Sequence, residues 1–103
     1  MARPLPRTDL DLSPLVTRTA DLGRLVRNAR AVSGVRIDDA AHLAGVSSDL
    51  VSRLENGRAV TTDKLLALLD TLGLSMVVVP RAQAVRVVAR LAAPEQETGD
   101  AAP

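Results

Sequence analysis

The chain has 103 residues, 47% of them hydrophobic, with 13 basic and 12 acidic side chains, one histidine, no cysteine and no Phe, Tyr or Trp. That is enough for one compact domain with an all-aliphatic core and tails. It excludes disulfides, thiolate chemistry and zinc fingers, and it removes the stacking platform that grips single-stranded RNA or DNA.

Duplex DNA, which is held through hydrogen bonds and phosphate contacts, survives that exclusion. The net charge of +1 is unevenly spread. Up to residue 37, seven arginines stand against Asp9, Asp11 and Asp21, whereas residues 38–80 hold three basic and six acidic groups. Such a distribution fits the basic stripe of a DNA binder and equally a solvated mixed surface. No fixed-period repeat points to a solenoid. No apolar run is long enough for a membrane span, and residues 1–11 lack the apolar stretch of a signal peptide. A cytoplasmic location without membrane contact is the expectation.

Residues 1–18, with Pro4 and Pro6, read as a flexible arm, although Ser13-Pro14 suits the start of a short helical turn. Residues 20–32 read as a helix. Thr19 is its expected N-cap and Asp21 lies in the first turn. Leu22, Leu25, Val26, Ala29 and Val32 form its apolar stripe, and Gly34 stops it. A short helix over 38–44 opens on two aspartates and carries Ala40, Ala41, Leu43 and Ala44; Gly45 ends it. A third helix follows Ser47 as N-cap and runs to about Asn56, with Val46, Leu50, Val51 and Leu54 apolar. Leu50 is the weakest candidate for burial in that set. Gly57 closes it, where a left-handed backbone is cheap. A fourth, leucine-rich helix starts at Thr61 or Thr62 and stops at Gly73.

Beyond it the pattern changes. Ser75, Met76, Val77, Val78 and Val79 form a mostly β-branched run closed by Pro80, which reads as a strand. In residues 84–91, Val85, Val87, Ala89 and Leu91 alternate with Arg86 and Arg90, which favours a second strand. Val85, Val88, Ala89 and Ala92 also fit a helix. Residues 93–103 are polar and read as disordered.

The helices over 38–44 and 48–56 meet at Gly45-Val46-Ser47. Glycine permits a tight turn, Val46 plugs the angle, and Ala41 and Ala44 let the two helices cross closely. That is a helix-turn-helix pattern, in which the second helix lays its outer face in the major groove. Residues 22–75 resemble the Cro/repressor-type helix-turn-helix family, also called the Xre family. The matching stretches are Leu-Ala-Gly-Val-Ser at 43–47 and Leu-Glu-Asn-Gly at 54–57, and Arg27 and Arg30 also fit. The fold this implies is mainly α, a four- to five-helix lambda-repressor-like DNA-binding domain over 19–74, here followed by a β segment over 75–92.

The resemblance implies base reading by Ser48, Asp49, Ser52 and Arg53. Arg53 is the strongest reader, because its planar fork matches guanine O6 and N7. Asp49 either accepts from cytosine N4 or supports the dipole at the helix start, the second being favoured. Arg36, Ser47, Asn56 and Arg58 are the expected phosphate contacts. Where the family often has glutamine this chain has Ile37, which removes one such contact, and Arg36 is a candidate replacement. Arg30 and Glu55 match a pair that links the first helix to the reading helix as framework.

His42 reads as a surface residue, without partners for a metal site. Nothing resembles a nucleophile–base pair or a glycine-rich phosphate loop. The expectation is a protein that is not an enzyme and uses no cofactor.

One reading helix covers too few base pairs to be selective, so a homodimer on a palindromic operator is expected, with residues 75–79 pairing across the two-fold axis. The run Leu72-Gly73-Leu74-Ser75-Met76 followed by valines resembles a narrower branch, the HipB-like antitoxins, whose partners are kinase toxins of the HipA type. That resemblance implies an autoregulating repressor that also holds a toxin. The alternatives are a stand-alone regulator of the Xre family, or a protein-interaction module that has lost DNA binding. Asp49, Ile37 and the weak net charge favour the interaction module slightly.

Overall fold

The computed structural model describes residue 8 and residues 12–92. Five helices follow one another: α1 (Thr19–Ser33), α2 (Ile37–Ala44), α3 (Ser48–Glu55), α4 (Thr62–Thr71) and α5 (Arg81–Leu91). Helix α3 packs against α1 and α2, and α4 packs against α2. The core between them is aliphatic: Val26, Ala40, Ala41, Val51, Leu54, Leu68 and Leu69 are buried. Leu22, Val35, Ile37, Ala44, Val46, Val60, Leu65, Leu72 and Leu74 close around it.

Each boundary has a local cause. The residue ahead of the first turn of α1 is Arg18, not Thr19. Asp21 decides this by reaching back: its Oδ2 accepts from the Thr17 N–H at 3.0 Å, the Thr17 hydroxyl at 3.1 Å and the Arg18 N–H at 3.1 Å. Three donors at the helix start that lack intrahelical partners are thereby satisfied. Gly34 and Gly45, at φ 69° and 73°, take the left-handed conformation that ends α1 and α2. The stripe on α1 is shorter than its spacing suggests. Val26 is fully buried, but Val32 is 60% exposed, because ten residues carry it roughly 80° around the helix from Leu22. Leu50, by contrast, is buried.

Helix α1 also holds a contact that no periodicity reveals. Gly23 is buried in mid-helix where α1 crosses the end of α3. A Cβ there would stand 2.2 Å from the Leu54 carbonyl oxygen and 3.1 Å from the Glu55 Cα. Only a residue without a side chain lets the two backbones approach this closely.

The C-terminal segment departs from expectation. No strand occurs among the described residues: residues 74–80 have no regular structure, and 81–91 is helical, not a strand. A strand must share its backbone groups with a neighbour, and this single chain sets none beside Ser75, Met76, Val77, Val78 and Val79. Pro80 then stands just ahead of α5 and accepts from the N–H groups of Gln83 and Ala84. The β segment expected over 75–92 is thereby replaced by an irregular stretch and a helix. No α5 residue is buried, and Val77, Val78, Val85, Val87 and Leu91 are exposed. The Ser13-Pro14 turn is not helical, although Ser13 Oγ accepts from the Leu15 N–H at 3.2 Å. The expected arm over 1–18 lies mostly, and the polar tail over 93–103 entirely, outside the described residues.

Candidate nucleic-acid interface

The α2–turn–α3 unit is built as two faces. On its inner side Ala40, Ala41, Leu50, Val51 and Leu54 are buried. The Gly45 φ of 73° makes the tight turn, and Val46 packs into the angle against the core. Ser47 then caps α3, its Oγ accepting from the Leu50 N–H at 3.0 Å. With the apolar side turned inward, the 3.6-residue repeat leaves Ser48, Asp49, Ser52 and Arg53 on the outer side of α3. Asp49 and Arg53 are exposed, and Ser48 and Ser52 are half-buried.

These four side chains are not independent. The Ser48 hydroxyl donates to Asp38 Oδ1 at 2.7 Å, which ties the start of α3 to α2. Arg53 Nε lies 3.1 Å from Asp49 Oδ2, one turn back along α3. No other group among the described residues engages the Arg53 guanidinium. Asp49 is therefore engaged with Arg53 in addition to standing in the first turn of α3, where a carboxylate favours the helix dipole.

The expected phosphate-binding residues surround this face. Arg36 stands just ahead of α2 and is exposed. Ser47 precedes α3, and its hydroxyl proton stays available because the cap uses only a lone pair. Asn56 Nδ2 donates to the Ser52 carbonyl at 2.8 Å, which occupies one of its two N–H groups. The Arg58 N–H donates to the Arg53 carbonyl at 2.9 Å, and its exposed side chain has no partner among the described residues. Lys64 was not singled out by its sequence context. It lines a shallow groove beside α3 together with Leu50, Arg53, Ala59, Val60 and Thr61, which brings a further cation next to Arg53. Its only sequence signal is that it is the sole lysine of the chain, placed in the first turn of α4.

Behind the face lies a buried ionic framework. Arg30 Nε and Nη2 donate to Glu55 Oε2 and Oε1 at 2.7 and 2.8 Å. Arg30 Nη1 donates to the Val35 carbonyl at 3.1 Å. Both residues are less than a tenth exposed. Arg27 Nε approaches Glu55 Oε1 at 3.5 Å from the half-exposed side. One carboxylate at the end of α3 thus receives two arginines from α1. A two-pronged pair of this kind fixes angle as well as distance, so it sets how α3 is presented. His42 lies on the exposed side of α2, and no group of three His, Asp or Glu among the described residues is arranged to hold a metal ion. No helix among them is long and apolar enough to cross a membrane.

A family model described as a helix-turn-helix domain matches residues 21–84, which spans α1 to the start of α5. No curated protein matches the chain.

Proposed function

The chain belongs to the helix-turn-helix domain family, and from that premise we propose that it is a sequence-specific duplex-DNA-binding repressor that works as a homodimer, without enzymatic activity or cofactor. The observation that carries this reading is the two-faced α3. Its apolar side is locked into the core, while Ser48, Asp49, Ser52 and Arg53 face outward at a tight, glycine-turned junction with α2. A helix held in this way enters the major groove with its N-terminal residues on base edges. Arg53 is the residue suited to guanine. Arg36, Ser47, Asn56, Arg58 and Lys64 are the phosphate contacts, which fix register and not sequence.

Two copies on a two-fold site supply the selectivity that one short helix lacks. In the single chain Met76, Val77 and Val78 are exposed, and cover by a second copy is the dimer reading of that surface. The narrower antitoxin reading, with a HipA-like kinase toxin as partner, draws on residues 72–76 and the valines after them. Residues 74–80 form no strand in the single chain, where a strand that pairs across a dimer has no neighbour. The antitoxin reading is therefore the narrower form of the repressor reading and rests on the sequence resemblance alone.

The test is a salt titration of binding to duplex DNA from the protein's own promoter, combined with footprinting. Binding that weakens steeply as salt rises, with a protected two-fold site, supports the reading. Absence of binding at low salt overturns it in favour of a protein-interaction module.

A further inference from the structure

We propose that Asp49 is the positioning residue for base recognition, acting through Arg53 and not on DNA directly. This rests on the reading of α3 as the helix that faces the major groove.

An arginine recognises guanine by pointing two N–H groups along parallel lines at O6 and N7. The side chain reaches that pose through several rotatable bonds, and freezing them opposes binding. In this chain the Nε edge of Arg53 is already engaged: Asp49 Oδ2 lies 3.1 Å from Nε. The terminal Nη1/Nη2 edge has no partner among the described residues. The carboxylate therefore lies as a counter-charge on the Nε side of the guanidinium, an ion pair and not a directed hydrogen bond. It biases where the side chain lies while leaving free the pair of donors that guanine requires.

The spacing supports this assignment. Asp49 and Arg53 are four residues apart on α3 and so share one side of it. Asp49 is 81% exposed in its side chain and Arg53 45%. The pair contributes little to the fold, since exposed ion pairs of this type are worth only a few tenths of a kcal/mol. The same negative charge also opposes approach of the phosphate backbone. Asp49 thus lowers affinity for DNA in general while sharpening the preference at the base pair that Arg53 reads, which simple helix-dipole support does not do.

The experiment uses the full chain with Asp49→Ala, Asp49→Asn, Arg53→Ala and the Asp49→Ala/Arg53→Ala double variant. Each is bound to a pool of duplexes with a randomised central stretch and, separately, to sonicated genomic DNA. Helical circular dichroism is recorded first and is expected to be unchanged, because neither side chain is part of the core. Arg53→Ala is expected to lose about tenfold in preference at one base pair, and Asp49→Ala about twofold at that same pair. Asp49→Asn removes the counter-charge that makes the ion pair and is expected to lose as much of the preference as Asp49→Ala. Both Asp49 variants gain affinity for sonicated DNA, because both remove the charge. In the double variant, loss of Asp49 adds nothing to the loss of Arg53.

If Asp49→Ala leaves the preference intact while Arg53→Ala abolishes it, the positioning role is overturned and the reading of α3 stands. If Asp49→Ala changes a different base pair, Asp49 is itself a reader and the proposal is wrong. If Arg53→Ala changes no preference, or the unmodified protein binds neither DNA, the reading of α3 fails and the inference fails with it.

Discussion

A methyl group on Gly23 would stand 2.2 Å from the carbonyl oxygen of Leu54. Gly23→Ala therefore has two opposing effects. Alanine favours a helix interior by about 1 kcal/mol over glycine. The contact partner, however, is backbone and cannot swing away, and overpacking of this kind costs about 1–3 kcal/mol or more. The net outcome expected is a lower melting temperature, not a higher one. A thermal melt followed at 222 nm decides it, and a more stable variant would show that α1 and α3 are farther apart in solution.

Arg30 and Glu55 form the second constraint on α3. Glu55→Ala leaves Arg30 buried without its counter-ion, and Arg30→Ala leaves Glu55 only the more distant Arg27. Either change is expected to lose on the order of 3 kcal/mol, the second somewhat less. The two losses should not add in the double variant, because they share one interaction. Urea denaturation of the two single variants and the double variant measures this directly. Additive losses would mean that the side chains act separately.

Arg58→Ala should contrast with Arg53→Ala. Its side chain faces solvent beyond α3, where a cation meets phosphate and not a base edge. Binding to every duplex should weaken alike, and the slope of log affinity against log salt should fall by about one. Lys64→Ala should behave in the same way, since Lys64 lines the groove beside Arg53. A variant that shifts base preference without changing the salt slope would move that residue to the reading side.

Acid should loosen two helix starts. The Thr17 backbone N–H, together with the Thr17 hydroxyl and the Arg18 N–H, holds the Asp21 carboxyl below the usual carboxylate range. The Thr61 hydroxyl and the Lys64 N–H do the same for Asp63. Both groups have a lower pKa folded than unfolded. The stability they supply is therefore fully present above the ordinary carboxylate pKa and is lost as pH falls through their lowered folded values. Asp21→Asn and Asp63→Asn should each flatten the fall of the urea midpoint with acidification. An unaltered pH profile in both variants would contradict the capping geometry.

Assembly is open to a simple measurement. Light scattering at micromolar concentration is expected to give the mass of two chains, and Val78→Asp, placed at an 87% exposed valine, should shift it toward one. A chain that is already monomeric before substitution would remove the dimer from the proposed function.

Much of the helical domain is legible in the residues themselves. Gly34, Gly45, Gly57 and Gly73 all adopt positive φ, and each stands where a helix ends, so punctuation by glycine is read directly from the sequence. The outer side of α3 follows from the burial of Val51 and Leu54 on the opposite side. What is not legible depends on distance in space. Gly23 looks like an ordinary weak helix residue until α3 lies against it. The Ser48–Asp38 hydrogen bond needs the fold of the turn. Residues 81–91 satisfy both periods because valine, alanine and arginine alternate on two schemes at once. Propensity alone misleads there: the β-branched valines argue for a strand, but no partner strand lies beside them and Pro80 starts a helix.

The way α5 sits has a consequence for motion. None of its eleven residues is buried, and only Ala84 and Val88 are partly covered; a helix that short is marginal in water without packing. Its amide protons should therefore exchange with solvent on their own clock, through local openings that leave the rest of the chain folded. The amides of Val26 and Leu54, fully buried in the core, should exchange only when the whole domain opens. Solvent exchange would then divide the molecule near Pro80, and anything that settled on α5 would register as a slowing confined to that last segment.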